Sequence, residues 1–435
     1  MTASSRNSGL KTLPQRFLIA YTFLFMLPFP LDLAGMFYLI PGFGSSIFAD
    51  GLQAVIGLHG RLTAPLVQAI GAYLTGQSLS MEATGSGDGL ASYFDVILDA
   101  TVALFVALAW WAWRRATPVS LKVRDVNRIF LRYYLFTNMV GYGMVKLIPG
   151  GQFPAPGPDR LVQPYGESSP MGLLWTFMGA SFGYQMFTGA AEVAGGLLLL
   201  FRRTTLLGSL LVAAAMTNVF VLNLCYDVPV KLFSLHLMFF ALILAAPDAG
   251  RLFALFFSHK SIPARDSEAP WTLSPRLKRT LITLKLVFVS LFIYQYIENG
   301  LALLEQGREA GAHPLRGIYR VESLGAEDPT SQDEGQNWVM IGITPPHSLT
   351  VVGANGSAER LRLRLDMDKS EMAFYERGGK EPEENSLRFE QNGDQLLIEG
   401  EFREKKITLR LKRENRDGLL TTRGFHWVNE VPFNR

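Results

Sequence analysis

The chain has 435 residues, of which 49% are hydrophobic and 18% are charged, and its formal net charge is +3. This small charge comes without a basic stripe interleaved with aromatic residues, which excludes an extended nucleic-acid surface and predicts no nucleic-acid partner. The single cysteine, Cys225, excludes an intrachain disulfide and a cluster of thiolate metal ligands within one chain.

Long apolar runs predict that the chain crosses a lipid bilayer. A span needs about 20 residues, and suitable runs lie at 17–40, 94–113, 129–147, 173–201, 206–224, 232–246 and 281–303. We therefore predict about seven transmembrane helices. The run at 173–201 is long and the run at 232–246 is short, so tilt or a re-entrant bend is an alternative in either. The half-apolar stretch 52–74 is interpreted as an interfacial or re-entrant helix.

The first apolar run follows a basic segment, as the apolar core of a signal peptide does. It has no clear small-x-small cleavage site, and Pro28 and Pro30 interrupt it. We interpret it as an uncleaved first span.

Lysine and arginine residues crowd alternate loops, and this pattern sets the predicted orientation. They are Arg6, Lys11, Arg16, Arg114, Arg115, Lys122, Arg124, Arg128, Arg202, Arg203, Arg251, Lys260, Arg265, Arg276, Lys278 and Arg279. Basic short loops remain in the cytoplasm. The N terminus is thus predicted inside, and everything after residue 303 outside.

After residue 303 the composition changes to that of a β domain. Segments 361–365 and 407–411 alternate apolar and polar residues, which is the period of a strand with one buried face. Turn sequences occur at 355–356, 378–379, 392–394 and 417–418. Residues from about 314 to 435 are predicted to form an antiparallel β domain, either a barrel or a sandwich.

The tail, residues 424–435, is dense in aromatic and polar side chains. It is interpreted either as a closing strand whose aromatic rings fill the core or as a segment that docks onto the outer face of the membrane domain. The sequence leaves both interpretations open.

Ionisable side chains inside a span cost about 3 kcal/mol each and usually face a protein interior. Lys146 ends the third predicted span, where it either reaches a site or snorkels to the interface. Glu192 lies deeper, among glycines, and is either a proton-carrying acid or the structural partner of a lysine or arginine on another helix. Both are candidate catalytic residues.

Asp95 and Asp99 share one face of the second predicted span, four residues apart. Two close carboxylates can bind a cation or take up a proton, or they can pair with Lys146 or Lys231. The glycine-rich sequence 84–88 before them lacks the Lys-Ser/Thr of a phosphate-binding loop, so it is interpreted as a turn.

A third polar cluster surrounds the turn between the fifth and sixth predicted spans. Asn223, Asp227 and Lys231 are candidate ligand-binding residues there, and Asp227 and Lys231 can form an ion pair across a proline. His236, about one and a half turns into the next helix, is either a proton carrier or a hydrogen-bonded structural residue. No histidine or cysteine spacing indicates a metal site.

The segment 150–171, which contains Gln152, is too rich in proline for regular structure. It is interpreted as an ordered outer loop that caps the helix bundle. Gln152 and Tyr142 complete the set of candidate ligand-binding residues.

The central part of the chain resembles the DoxX-like family of four-helix membrane proteins. The resemblance rests on Gly143-x-x-Lys146, on the loop 164–171, and on Gly189-x-x-Glu192 followed by the Phe-Arg-Arg-Thr sequence at 201–204. It implies that the third to sixth predicted spans form the family core. The family is loosely linked to quinol and thiol redox chemistry, and one cysteine cannot run a dithiol cycle alone.

The resemblance therefore implies an integral membrane protein whose electrons would be carried by a quinone or by a partner membrane subunit. Tyr142, Lys146, Glu192 and His236 could hydrogen-bond or protonate a quinone head group. One alternative is a non-enzymatic scaffold that presents the β domain to a partner. A second is a membrane enzyme similar in plan to vitamin K-dependent gamma-carboxylases, with Lys146 as the base.

The apolar runs, the strand pattern, the basic loops and this resemblance together divide the chain into four regions and predict its cellular location. They are an N-terminal two-span region at 1–128, a DoxX-like core at 129–255, a cytoplasmic linker and last span at 256–313, and the β domain at 314–435. The resemblance also implies a bacterial protein, so the predicted location is the inner membrane, with the β domain in the periplasm.

Overall fold

The computed structural model describes residues 12–33, 47–81, 84–114, 117–258, 271–326, 337–376, 379, 382, 386–403, 405–414 and 418–433. The chain forms two compact units. The first comprises Met1–Leu147 and Phe187–Asn299, and the second comprises Ile148–Met186 and Gly300–Arg435. The segment between the third and fourth predicted spans thus belongs to the same unit as the β domain.

The α-helices of the described residues run in the order α1 Leu13–Met26, α2 Ile47–Ile56, α3 Leu58–Thr75, α4 Leu90–Trp113, α5 Leu121–Leu147, α6 Pro158–Leu161, α7 Pro170–Ala180, α8 Phe182–Leu199, α9 Thr205–Cys225, α10 Lys231–Ala245, α11 Ala249–Phe253, α12 Pro275–Ala312 and α13 Leu419–Thr422. In the first unit, α5 and α10 bring apolar side chains together at helical spacing. Leu131, Leu135 and Met139 of α5 lie in one buried cluster with Leu237 and Phe240 of α10.

Within the described residues, five helical segments are long and apolar enough to cross a membrane, fewer than the seven that we predicted. They are Leu13–Leu33, Leu90–Trp113, Thr205–Cys225, Lys231–Ser258 and Pro275–Ala312. The predicted span 129–147 lies in α5, whose first half carries several charged side chains. Residues 34–40 of the first predicted span lie outside the described residues, as do Arg6, Lys11, Arg115, Lys260 and Arg265 of the basic loops.

The long run at 173–201 is not one helix. It divides at Ser181, whose extended backbone separates α7 from α8. The start of α7 has a local cause, since the Ser169 hydroxyl accepts a hydrogen bond from the Gly172 N–H at 3.1 Å and Pro170 stands at the first helical position. The half-apolar stretch 52–74 is helical and falls in α2 and α3.

The β domain is a closed antiparallel barrel in which neighbouring strands are hydrogen-bonded in sequence order and β8 pairs with β1. Its strands are β1 Gly317–Ala326, β2 Trp338–Thr344, β3 Ser348–Gly353, β4 Ala358–Asp366, β5 Glu371–Glu376, β6 Leu387–Asn392, β7 Gln395–Phe402 and β8 Lys405–Glu414. The predicted antiparallel domain is confirmed, and of its two forms the structure has the barrel. The predicted turns at 378–379 and 417–418 fall partly outside the described residues.

Alternation along the strands fills the barrel interior with apolar side chains. Leu361 and Leu363 of β4 and Leu409 of β8 are at most 3% exposed, and they lie in one cluster with residues of the other strands. At the turn between β6 and β7, Gly393 adopts φ +58°, a conformation that glycine tolerates without a Cβ penalty.

The aromatic tail does not add a strand to the barrel. It follows the short helix α13 and has no strand structure from residue 424 to residue 433, while residues 434 and 435 lie outside the described part. Phe425 is 76% exposed and Trp427 is 91% exposed, so these rings do not fill the core. The closing-strand interpretation is wrong because the barrel closes through β1 and β8, and docking onto the membrane domain stays a prediction.

Candidate functional site

Two glycines allow the backbones of α5 and α8 to touch. A Cβ on Gly143 would lie 2.7 Å from the carbonyl oxygen of Gly189. A Cβ on Gly189 would lie 2.7 Å from the carbonyl oxygen of Gly143. No larger side chain fits this reciprocal contact without movement. Small residues serve this purpose where membrane helices cross closely.

Lys146 and Glu192 stand one turn from these glycines and meet across the crossing. Helical side chains tilt toward the N terminus of their own helix, so the two side chains approach each other from opposite directions on α5 and α8. The Lys146 ammonium donates to Glu192 Oε1 at 2.6 Å and to Oε2 at 2.7 Å. With 7% and 2% of their surfaces exposed, the residues form a buried ion pair. Lys146 therefore does not snorkel, and it is the partner of Glu192.

Tyr142 lies one turn before Lys146 on α5 and is 44% exposed. Its phenol is within the electrostatic range of the Glu192 carboxylate. Its ring packs against Phe233 of α10, with centroids 6.2 Å apart. Tyr142 is thus a partly exposed residue of the first unit, one helical turn from the lysine of the buried pair. Gln152 belongs to the second unit, where its Oε1 is buried and has no hydrogen-bond partner among the described residues.

Of the two carboxylates of α4, Asp99 has a partner other than the two lysines considered above. Asp99 is 6% exposed, and its Oδ1 lies 3.8 Å from Nε2 of His59 on α3. Asp95, one turn earlier, acts on Asp99 electrostatically. The predicted pairing with Lys146 or Lys231 is wrong, because Glu192 occupies the first lysine and Asp227 the second.

His236 of α10 is a buried, hydrogen-bonded residue. Its Nε2 lies 2.6 Å from the hydroxyl of Tyr21 on α1, and its Nδ1 lies 2.6 Å from the Leu232 carbonyl oxygen. Since a carbonyl only accepts, Nδ1 carries the hydrogen and the neutral ring accepts the Tyr21 proton at Nε2. The ring also stacks on Phe25 at a centroid distance of 3.9 Å.

Asp88, in the glycine-rich turn at 84–88, binds backbone N–H groups at the start of α10. The Asp88 carboxylate accepts hydrogen bonds from the backbone N–H groups of Lys231 at 2.7 Å and Leu232 at 3.0 Å. These are donors that a helix start leaves without intrahelical partners. The Lys231 ammonium lies 2.9 Å from Asp227 Oδ1, and the Asn223 amide donates to Ser234 Oγ at 3.0 Å. This polar cluster therefore has a structural role at the turn.

The second unit contains a buried acid that the sequence did not identify. Asp159 of α6 is 2% exposed. Its carboxylate accepts from Thr344 Oγ1 at 2.6 Å, Ser348 Oγ at 3.1 Å and Arg360 Nη2 at 2.8 Å. These donors come from β2, β3 and β4, so we call this network the barrel latch. Asp159 lies in segment 150–171, so this segment contacts the barrel, and its capping of the helix bundle stays a prediction.

Sequence reasoning missed four residues that the structure places in polar contacts: Tyr21, His59, Asp88 and Asp159. Each finds its partner far along the chain, and the Asp159–Arg360 contact spans 201 residues. No local spacing signals such contacts. Within the described residues, no group of three or more His, Cys, Asp or Glu side chains could hold a metal ion.

A known bacterial protein is similar to part of this chain. No family model matches the chain, and no solved structure gives a significant match. The uncharacterized protein YwoB of Bacillus subtilis (strain 168) is 32% identical over 143 residues, which are 33% of this chain and 88% of that protein. The chain belongs to the family of YwoB. YwoB is an uncharacterized protein, so membership in its family implies no activity for this chain.

Proposed function

We propose that the chain is a DoxX-like inner-membrane protein that binds a quinone head group beside the Lys146–Glu192 pair. The observation that carries this proposal is a buried Lys146–Glu192 pair with the partly exposed Tyr142 one helical turn before Lys146 on the same helix. A quinone dissolves in the hydrocarbon, so it would reach Tyr142 from the lipid. Buried charges in such helices are costly and commonly mark a functional site.

The proposed arrangement in the membrane uses the five candidate spans together with α5 and the α7–α8 segment, which gives about seven crossings. The alternating basic loops support the proposed orientation, with the N terminus in the cytoplasm and the barrel in the periplasm. Helix α12 has 38 residues and is about 57 Å long, which exceeds the hydrocarbon core of about 30 Å. It has the length to cross the bilayer and extend beyond it.

The donor set of the site fits a quinone. A quinone carbonyl needs a hydrogen-bond donor, which the Tyr142 hydroxyl would supply, while the Lys146 ammonium would contribute positive charge. The Glu192 carboxylate is the group that would hold or release a proton beside the head group. A bound quinone would supply the exchange of electrons with a partner membrane subunit.

Ligand-dependent thermal stability tests this proposal. The purified protein in detergent is heated with ubiquinone and menaquinone analogues, and Tyr142→Phe is compared with the wild type. A ligand at 100 times its Kd stabilises the folded state by about 2.7 kcal/mol. Tyr73→Phe is the matched control, because Tyr73 of α3 is 88% exposed. We expect stabilisation of the wild type and the control and weaker stabilisation of Tyr142→Phe. No stabilisation of the wild type would overturn the proposal.

A scaffold is the second candidate function, and the architecture of the second unit favours it. The barrel interior is filled by side chains, and the latch binds segment 148–186 to three strands. The chain passes between the two units after Leu147, before Phe187 and after Asn299. These connections suit a module that is presented near a membrane. A barrel-dependent cross-link to a membrane partner, without any response to quinones, would support this function.

The carboxylase alternative receives less support. It requires Lys146 to act as a base, but the Lys146 nitrogen contacts both oxygens of a carboxylate at 2.6 Å and 2.7 Å. A lysine in this arrangement is an ammonium ion, which has no free electron pair to take up a proton. Bicarbonate-dependent labelling of a peptide would revive this alternative.

A further inference from the structure

A small pocket lies on the barrel, beside the barrel latch. Its volume is about 90 Å³, and it is lined by Ser348 of β3 and by Arg360, Leu361 and Arg362 of β4. Ser348 and Arg362 are direct cross-strand partners. Drug-sized ligands occupy pockets of about 300 Å³ or more, so this one has room for a single small chemical group. We call it the arginine pocket.

Strand alternation explains why two arginines face the same pocket. Leu361 and Leu363 belong to the core inside the barrel. Arg360 and Arg362 alternate with them along β4 and therefore point out of the barrel, on one face of the sheet. Residues two apart on a strand are separated by about 7 Å. Two positive charges at this separation repel each other, so an anion placed between them is stabilised by both.

The two arginines differ in their partners. The Arg360 Nη2 atom donates to Asp159 Oδ2 at 2.8 Å, and its side chain remains 33% exposed. Arg362 is exposed, and its guanidinium has no hydrogen bond or ion pair with any residue that the structure describes. A guanidinium carries five N–H donors. Arg362 thus has all of its donors available for a ligand, and Arg360 has donors beyond the one that the latch uses.

This face of the sheet has more hydrogen-bond donors than acceptors. The Asp159 carboxylate contacts two of the lining residues, Ser348 at 3.1 Å and Arg360 at 2.8 Å, and accepts from three side chains in all. It offsets one of the two guanidinium charges. Thr350, directly opposite Arg360 on β3, has a buried hydroxyl oxygen with no hydrogen-bond partner within the described ranges. The surplus of donors and of positive charge favours an anionic acceptor.

We propose that the arginine pocket binds a phosphate group between Arg360 and Arg362. A guanidinium binds two oxygens of a phosphate through parallel hydrogen bonds. One such arginine engages both oxygens of a carboxylate, whereas a phosphate has further oxygens for a second arginine. The group comes either from a free phosphate ion or from the head group of a phospholipid, which share this chemistry. The proposal does not rest on the quinone site, since every lining residue belongs to the second unit.

Isothermal titration calorimetry of the full-length protein in a neutral detergent tests the arginine pocket. Inorganic phosphate and dihexanoyl phosphatidylglycerol are titrated separately, at constant ionic strength because salt screens charges. We expect the ligand that binds the wild type to bind Arg362→Gln at least about tenfold more weakly, because one of the two charged donor groups is lost. Arg362 is exposed and has no part in the latch, so this variant should fold.

Arg388→Gln is the matched control, since the Arg388 side chain on β6 is 85% exposed and does not line the pocket. It should bind like the wild type. Tighter binding of the lipid than of inorganic phosphate would identify a phospholipid head group as the source, and the reverse order would identify the free ion. No binding of either ligand to the wild type, or equal affinities of the wild type and Arg362→Gln, would overturn the proposal.

Discussion

Lys146–Glu192 in the helical unit and Asp159–Arg360 in the barrel unit are ion pairs with a buried carboxylate, but they are built differently. In the helical unit, Lys146 and Glu192 meet at a glycine crossing, and both Glu192 oxygens contact the same ammonium. In the barrel unit, Asp159 has three side-chain donors from three strands. Its partner Arg360 keeps 33% of its side chain exposed. The first pair joins one ammonium to both oxygens of one carboxylate, whereas in the second the carboxylate also has two hydroxyl donors.

This difference bears on function. A network with several neutral donors distributes the stabilisation of a buried carboxylate, as expected of a structural fastening. A buried pair of two full charges, such as Lys146 and Glu192, is weak evidence for stability, since an apolar pair can often replace it. The Lys146–Glu192 pair is therefore the better candidate for a site that exchanges protons. The predictions below test this contrast.

The largest effect is expected at the Lys146–Glu192 pair. Glu192→Gln leaves the ammonium buried without its counter-charge and should lower the free energy of unfolding by about 3–5 kcal/mol. The double variant Lys146→Met with Glu192→Leu removes both charges and should recover most of that loss. Unfolding in detergent, followed by circular dichroism, measures both.

The exposed ion pair of Asp227 and Lys231 provides the control for this measurement. The Asp227 side chain is 85% exposed, so Asp227→Asn should change stability by at most about 1 kcal/mol. A double variant as unstable as Glu192→Gln alone would mean that the pair is itself a main source of stability. The contrast between the two units would then be lost.

The barrel latch should give the second largest effect. Asp159→Ala leaves the Arg360 guanidinium and two hydroxyls without their acceptor, and it should destabilise the second unit by about 2–3 kcal/mol. Because the latch fastens segment 148–186 to the strands, limited proteolysis should cut this segment faster in the variant. Arg403→Met, at an ion pair on the barrel surface, is the control and should change the cleavage rate little. Equal cleavage of the wild type and Asp159→Ala would show that the latch does not hold the segment.

The contrast also separates what the sequence could predict from what it could not. The two-residue alternation at 361–365 sufficed for the strands, because this signal is local. Apolar runs predicted seven spans, of which five correspond to candidate spans in the described residues. The glycine spacing of Gly143-x-x-Lys146 and Gly189-x-x-Glu192 indicated a close helix contact, but not that the two motifs face each other. Asp159 carried no signal, since its donors are brought to it only when the barrel closes.

The glycine crossing itself should give a moderate effect. In Gly143→Ala the new methyl group would lie 2.7 Å from the Gly189 carbonyl oxygen and 3.0 Å from the Val193 backbone nitrogen. Backbone cannot yield as a flexible side chain does, so we expect a loss of about 1–3 kcal/mol. Gly183→Ala in the first turn of α8 is the control, because a Cβ there meets nothing within 4 Å. Equal melting temperatures for these two variants would show that α5 and α8 are not in close contact.

The smallest effect is expected at the junction of α12 with the barrel, where His313 follows the last helical residue. Its Nδ1 accepts a hydrogen bond from the Leu315 N–H at 3.2 Å, and burial lowers the pKa of this histidine below its ordinary value of 6.5. The folded state therefore favours the neutral ring. The unfolded chain binds the proton more readily, so this contribution is complete above pH 6.5 and is lost as the pH falls through the lower folded value.

His313→Asn keeps an oxygen acceptor but cannot be protonated in this range, so it isolates the contribution of the imidazole. We expect the melting temperature of the wild type to fall more between pH 7.5 and pH 5, both about one unit or more from the ordinary pKa, than that of the variant. The reverse order would mean that the protonated ring is the favoured form in the fold. The Leu315 N–H cannot donate to a protonated Nδ1, so that result would require a different conformation of the junction between α12 and β1.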